Sequence, residues 1–287
     1  MYVGKHCSPK NKNNGSCISK ELLKKIAKIL NRHLKSNIKI KDSTYRLQKN
    51  IHRIIKKEKK CTVEACWLTY DLLKDKLSNE EYRTFINSFR PLIPDKWYKE
   101  PNKWLNTDDI NKVLKQYENN YKHFKYTGAS PIDFELKNNN GTCLVNELCN
   151  IDLKSILNKK KTCIGMVFNT DPHNKPGQHW FSMYVDLIGK NRGTPTIYHY
   201  DSIADKPSKN IIDLVTNLKN QGKELDISFD FIFNDIRHQF KNTECGVYSI
   251  HFIISMLKGI DFIKYVNNDI NDKEMEKFRK EFFISLK

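Results

Sequence analysis

The sequence predicts an α+β fold: a mixed central sheet packed by helices, with an extra helical subdomain at the N-terminus. Three observations carry this expectation. Helical periodicity fills the first third of the chain. Runs of strand length gather between residues 163 and 234. A long apolar run of helical type, residues 246–257, follows the last of them.

Residues 1–18 are polar and rich in Gly, Asn and Lys, and read as a loose lead-in. Ser19 can cap a helix over residues 20–34, whose Leu22, Leu23, Ile26, Ile29 and Leu30 share one face. Residues 45–59 repeat the pattern with Leu47, Ile51, Ile54 and Ile55, and their other face is basic. Residues 62–77 and 79–89 read as two more helices, and Pro91 and Pro94 stop helix formation. Residues 1–100 thus read as a basic helical arm, and residues 101–287 as a second, chemical domain. The arm suits either docking of substrate or nucleic acid, or packing alone.

Thr107, Asp108 and Asp109 open a helix to about Tyr121, with acids at its positive end. A loop follows through Gly128, Ser130 and Pro131. Residues 134–136 read as a short edge strand, 144–157 as helical and 163–168 as an apolar strand. Residues 176–186 are a loop that becomes a strand. A turn signal at 189–193 and a second strand at 196–201 complete a hairpin. A helix over 208–219, a strand over 230–234 and an amphipathic helix over 274–286 finish the chain.

Chemistry concentrates where a polar loop meets the apolar helix, at Cys245. A cysteine on a helix's first turn feels the positive end of the macrodipole, which favours the nucleophilic thiolate. Backbone N–H groups there form part of an oxyanion site, and Gln239 just upstream offers a neutral side-chain donor to complete it. Gly246 lets a substrate backbone come close to the sulfur. The nucleophile needs a base and the base needs an orienter. Reflecting the hairpin about Lys190 sets His179 opposite Asp201, about 5 Å apart at Cβ. Asp186 lies seven residues along the strand from His179, roughly 23 Å away, and is too far to serve. The assignment is Cys245 as nucleophile, His179 as base, Asp201 as orienter and Gln239 as oxyanion donor. His199 and His238 are rival bases whose ordinary reading is a hydrogen-bonded histidine.

Gln178-His179-Trp180, Tyr200-Asp201-Ser202, and Gln239 six positions before Cys245-Gly246 resemble the Ulp/SENP and adenovirus-protease group of cysteine peptidases. The resemblance covers roughly the last 180 residues. Glu244 stands where the cellular members usually carry Asp, which suits the branch found in large DNA viruses. The resemblance implies an Ulp- or adenain-like core and proteolysis after Gly-Gly-type sequences, with Trp180 walling a narrow channel. It implies a viral polyprotein substrate, residence in the virion and host cytoplasm, and DNA or another polyanion as a modulator. Deconjugation of SUMO- or ubiquitin-like proteins is the alternative, and protein acetylation a more distant one. A non-catalytic nucleic-acid binder would not need this ordered set.

A net charge of +17 over 287 residues predicts attraction to polyanions, although Lys and Asn are common throughout the chain. No apolar run approaches the length of a membrane span. Eight cysteines without a Cys-x-x-Cys pair exclude a ribbon-type zinc site and fall short of disulfide-scaffold density. The expectation is reduced thiols, with Cys143 and Cys163 as small buried hydrophobes. No metal or cofactor is called for: residues 268–272 lack the glycine and spacing of a calcium loop and read as a helix cap.

Overall fold

A computed structural model describes residues 6–9 and 15–286, so residues 1–5 and 10–14 of the lead-in expected over residues 1–18 lie outside the described residues. The chain divides into two compact units, residues 1–95 with 280–287 and residues 96–279.

The first unit is helical. Helix α1 (Lys20–Leu34) is capped by the Ser19 side chain, which accepts the Leu22 N–H, and α2 (Thr44–Lys59) by Ser43, which accepts the Arg46 N–H. Leu22, Leu23, Ile26, Ile29 and Leu30 of α1 join Leu47, Ile51 and Ile55 of α2 in one core with Trp67, Leu73 and Phe85. The single helix expected over 62–77 is instead a 3₁₀ turn (Glu64–Thr69) followed by α3 (Asp71–Lys76), with extended backbone at Tyr70 between them. Helix α4 (Asn79–Ile86) opens with a reciprocal capping box between Ser78 and Glu81. Of the chain's 50 Lys and Arg, 24 fall in this unit, against 10 of its 33 Asp and Glu, so it carries +14 of the net +17.

The thiol expectation is corrected here. Cys7–Cys17 and Cys61–Cys66 are disulfides in this unit, and Cys143–Cys149 is one in the other. Their Cα separations of 5.0, 5.6 and 6.2 Å suit the bond. Cysteine density averages over the chain and is blind to such pairs, each of which closes a short local loop. Cys163 and Cys245 remain as free, buried thiols.

The second unit is built on a five-stranded mixed sheet in sequential order: β1 (Phe124–Pro131), β2 (Cys163–Asn169), β3 (Trp180–Asp186), β4 (Thr196–Tyr200) and β5 (Asp230–Phe233). The two outer pairs are parallel and the inner pairs antiparallel. Helix α5 (Thr107–Asn120) precedes β1, and two short helices, α6 (Asn146–Cys149) and α7 (Leu153–Asn158), replace the single helix expected over 144–157. Strand β1 occupies the stretch read as a loop, whereas Phe134 lies in a turn and is fully buried. Gly128 and Pro131 masked that strand. Its register slips between Tyr126 and Ala129, and Asn111 of α5 accepts both the Tyr126 hydroxyl (2.8 Å) and the Ala129 N–H (2.9 Å) at the irregularity.

Strands β2 and β3 are buried along their whole length, because helices cover both faces. On one face α8 (Lys209–Glu224) sets Ile211, Leu214 and Leu218 against Met166, Phe181, Met183 and Ile197. On the other lies α9 (Cys245–Leu257), whose Phe252 ring stacks on Tyr200 with centroids 4.8 Å apart. Helix α9 sits close because β2 offers Gly165: a Cβ there would meet the Phe124 ring at 2.8 Å and Ile253 at 3.0 Å. Helices α10 (Phe262–Val266) and α11 (Asp272–Phe282) follow.

Candidate active site

Three loops and one helix end meet at the end of β3 and β4. His179 immediately precedes β3, Asp201 immediately follows β4, and Cys245 is the first residue of α9. The hairpin pairs Ser182 with Tyr200 and Met183 with His199, so its reflection point lies one residue later than Lys190. Continued outward, that register sets Phe181, not His179, opposite Asp201. His179 is the diagonal neighbour, and its imidazole spans the offset: Nε2 donates to Asp201 Oδ1 at 2.8 Å. The remaining ring nitrogen, Nδ1, is left for Cys245, whose thiol is the imidazole's second side-chain hydrogen-bond partner.

The electrostatics follow from this sandwich. Burial alone pulls His179 down, but hydrogen bonds and charge from Asp201 and Cys245 together outweigh it and push its pKa up to about 10. The same contacts favour the imidazolium over the neutral ring. Asp201 is 2% exposed and tightly placed. Its N–H donates to Asn234 Oδ1 at 2.8 Å, its carbonyl accepts Asn234 Nδ2 at 2.7 Å, and its Oδ1 also accepts the Ile203 N–H at 2.9 Å.

Gln239 lies on the loop before α9, 2% exposed, with Oε1 accepting from the Ser202 hydroxyl and Nε2 donating to the Lys241 carbonyl. That loop is rigidly held. Asp272 Oδ2 accepts the N–H groups of both Phe240 and Lys241 at 2.9 Å, and His238 bridges the Tyr200 hydroxyl (2.8 Å) and the Val266 carbonyl (2.9 Å). The first-turn N–H groups of Cys245 and Gly246 have no acceptor within the helix, as at any helix start.

Both rival histidines have other work. His238 is the structural bridge just described. His199 is 2% exposed on the α8 face, against the Phe181 ring, and burial lowers its pKa to about 4. Asp186 organises the hairpin turn by accepting the N–H groups of Asn191 (2.8 Å) and Ile188 (3.3 Å).

Gly246 and Trp180 face Leu105, to which the sequence alone assigns no role at the site. A Cβ on Gly246 would meet Leu105 at 3.0 Å, so this glycine first of all makes room for protein. Trp180 Nε1 donates to the Leu105 carbonyl at 2.9 Å. Next to it Trp104, 43% exposed, lines a groove of about 560 Å³ with Pro101, Lys103, Asn242 and Thr243, the last two on the loop that leads into Cys245. Arg279 of α11 holds these parts together. It donates to Glu244 Oε2 (2.8 Å), the Lys103 carbonyl (2.7 Å) and the Thr243 carbonyl (3.2 Å), and its guanidinium lies 4.7 Å from the Trp97 ring centre. Nothing in the local sequence announces Arg279. Ser202 stands inside the Tyr200-Asp201-Ser202 motif and Asn234 ends the strand read over 230–234, and only their distance in sequence from their partners Gln239 and Asp201 hid their roles.

Comparison with known proteins identifies the family of the chain. The model of the Ulp1 protease family's C-terminal catalytic domain matches residues 115–287, which contain His179, Asp201, Gln239 and Cys245. A thiol protease of Acanthamoeba polyphaga mimivirus is 30% identical over 297 residues, spanning 96% of this chain and 92% of that protein. A SUMO-1 cysteine protease of African swine fever virus is 25% identical over 252 residues, spanning 83% of this chain and 89% of that protein. Two crystal structures of the African swine fever virus protease share the fold, with TM-scores of 0.68 and 0.72 at 21% and 22% identity, each covering 98% of this chain and 96% of its own. The chain is a cysteine protease and belongs to the Ulp1 protease family.

Proposed function

We propose that this protease is an endopeptidase that matures viral structural polyproteins in the virion and host cytoplasm, cutting after Gly-Gly-type sequences. The observation that carries the chemistry is the His179 ring bound on one side by Asp201 and on the other by the Cys245 thiol. The Cys245 thiolate attacks the scissile carbonyl. The oxyanion that forms is held by the Cys245 N–H and the Gln239 side-chain N–H. The His179 imidazolium protonates the leaving amine, and the imidazole then takes a proton from the water that releases the acyl group. Asp201 holds the ring in line throughout. Trp180 is tied to Leu105, and Leu105 packs against Gly246, so the wall beside Cys245 is fixed, which supports small residues next to the cut. The viral sources of the two similar proteases support a viral substrate.

Deconjugation of a SUMO-like protein is the second reading, favoured by the name of the African swine fever virus relative. A panel separates the two: fluorogenic SUMO and ubiquitin beside a Gly-Gly peptide and candidate virion precursors, with products sequenced by mass spectrometry. Cleavage of precursors with SUMO and ubiquitin untouched is the expected result. Turnover of SUMO alone reverses the order of the readings. Cys245→Ala abolishes cleavage with an unchanged melting temperature, and persistence of cleavage refutes the mechanism.

The basic arm supports a polyanion as modulator. Arg46, Lys49, Arg53, Lys56, Lys57 and Lys60 are all exposed on or just after α2. If about five of them meet phosphates, log affinity for duplex DNA falls against log salt with a slope of about −4 to −5. Binding that ignores salt removes this part of the reading.

A further inference from the structure

Gln239 is held at both ends of its amide, and together the two contacts decide which end faces which way. A backbone carbonyl only accepts hydrogen bonds, so the atom 2.7 Å from the Lys241 oxygen is the amide nitrogen. Oε1 then lies 2.6 Å from the Ser202 hydroxyl, which must be the donor. Ser202 is 1% exposed and Gln239 2%, so solvent does not compete for these bonds. One N–H of Nε2 is engaged by Lys241, and the other has no partner among the described residues. Ser202 also acts through its main chain. Its carbonyl accepts the N–H groups of His238 (2.9 Å) and Gln239 (2.8 Å), and it directly follows Asp201.

The geometry points to Ser202 as a positioning residue for the reaction: its hydroxyl locks the Gln239 amide with nitrogen toward the reacting centre, and its backbone ties that donor to the turn that carries Asp201. This rests on Gln239 being the oxyanion donor. An amide is nearly the same shape after a half-turn, so shape does not choose between a donor and an acceptor facing the oxyanion. The flipped amide would turn Oε1, an acceptor, on a developing negative charge. Ser202 opposes the flip from one side and the Lys241 carbonyl from the other. Only the Ser202 contact belongs to a side chain that mutation can delete. Among the described residues no hydrogen bond joins Ser202 to His179 or Cys245, so losing the hydroxyl should leave thiol reactivity intact and slow only acyl transfer.

The test compares Ser202→Ala, Gln239→Ala and the double variant on a fluorogenic peptide ending in Gly-Gly, each assayed below its melting temperature. Gln239→Ala is expected to lower kcat ~100-fold or more, and Ser202→Ala about 10-fold with KM little changed. The double variant should be no slower than Gln239→Ala, because there is then no amide to orient. Alkylation of Cys245 by iodoacetamide should stay within about twofold of the wild-type rate in all three, since the thiol and its imidazole are unchanged. Ser202→Cys, of similar size with a weaker donor, should fall between wild type and Ser202→Ala. A wild-type kcat in Ser202→Ala beside a slow Gln239→Ala overturns the lock and spares the oxyanion reading. Losses that multiply in the double variant, or a parallel loss of alkylation in Ser202→Ala, overturn the lock as well. A wild-type kcat in Gln239→Ala overturns both.

Discussion

Replacing Arg279 by Met is the perturbation that most exposes how Cys245 is held. Glu244, the residue before Cys245, is 0% exposed, and Arg279 is its ion-pair partner at 2.8 Å with 5% of its own side chain exposed. Burial pushes the Glu244 carboxyl up, and the Arg279 charge and hydrogen bond pull it back. Removing the guanidinium leaves a carboxylate without its countercharge and frees the carbonyls of Lys103 and Thr243. Breaking a buried pair from one side costs about 3–5 kcal/mol, against about 0–1 kcal/mol for an exposed pair such as Lys209–Asp213. In a unit of this size that lowers the melting temperature by about 6–20 °C. The sign with pH follows from the carboxyl. Without Arg279 its folded-state pKa rises further above its unfolded value. Folding then takes up a proton that the unfolded chain does not hold, and stability falls as pH rises. Arg279→Met should therefore lose more at pH 8 than at pH 5. Adding Glu244→Gln should recover part of the loss by removing the orphaned charge. Thermal unfolding followed by circular dichroism at both pH values reads all three quantities. A shift under about 3 °C at pH 8, or no recovery in the double variant, refutes the reasoning.

Other consequences are as specific. Glu64, which accepts from the Ser16 hydroxyl and the Cys17 N–H, has its pKa raised to about 7, chiefly by burial. Its contribution is present below about pH 4.5 and lost as pH rises through 7, on the order of 3 kcal/mol, and Glu64→Gln should flatten that slope in urea titrations. The His179 imidazolium, with a pKa near 10, stabilises the fold fully below its ordinary value of 6.5 and loses that contribution as pH rises through 10. The alkaline limb of kcat/KM should sit near 10 as well. Asp201→Asn removes the charge that raises it and should move that limb to lower pH in a pH–rate profile. Gly165→Ala forces a methyl against the Phe124 ring and Ile253, and should cost about 1–3 kcal/mol in denaturant unfolding with the catalytic groups untouched.

What was legible in the sequence follows physical rules, and so does what was not. Helices α1, α2 and α5 carry apolar stripes behind capping residues and α9 is a long apolar run, so their positions could be read from spacing. The sheet's four inner and C-terminal strands are runs of Val, Ile, Phe and Tyr between turn residues. Strand β1 escaped because Gly128 and Pro131 are turn residues by composition, and only Asn111 and Glu118 of α5 make the irregular strand tolerable. The hairpin's register missed by one residue at its centre because turn length is not fixed by the glycines alone. The His179–Asp201 contact forms despite that offset, since the imidazole reaches the diagonal as well as the opposite position. The disulfides, Arg279 and the Ser202–Gln239 contact were invisible for another reason. Each depends on side chains meeting in three dimensions with no periodic signature.

The central claim is that His179 and Asp201 activate the Cys245 thiol. Two free thiols occur among the described residues, and they make an internal comparison: burial raises Cys163 to about 11, while Cys245 faces an imidazolium. Limiting iodoacetamide at pH 7, followed by peptide mass spectrometry, measures both at once. Cys245 should be modified first, with cleavage lost in proportion, and His179→Ala should slow that modification ~100-fold. Modification of Cys163 at the same rate, or full cleavage by a protein alkylated on Cys245, would contradict it.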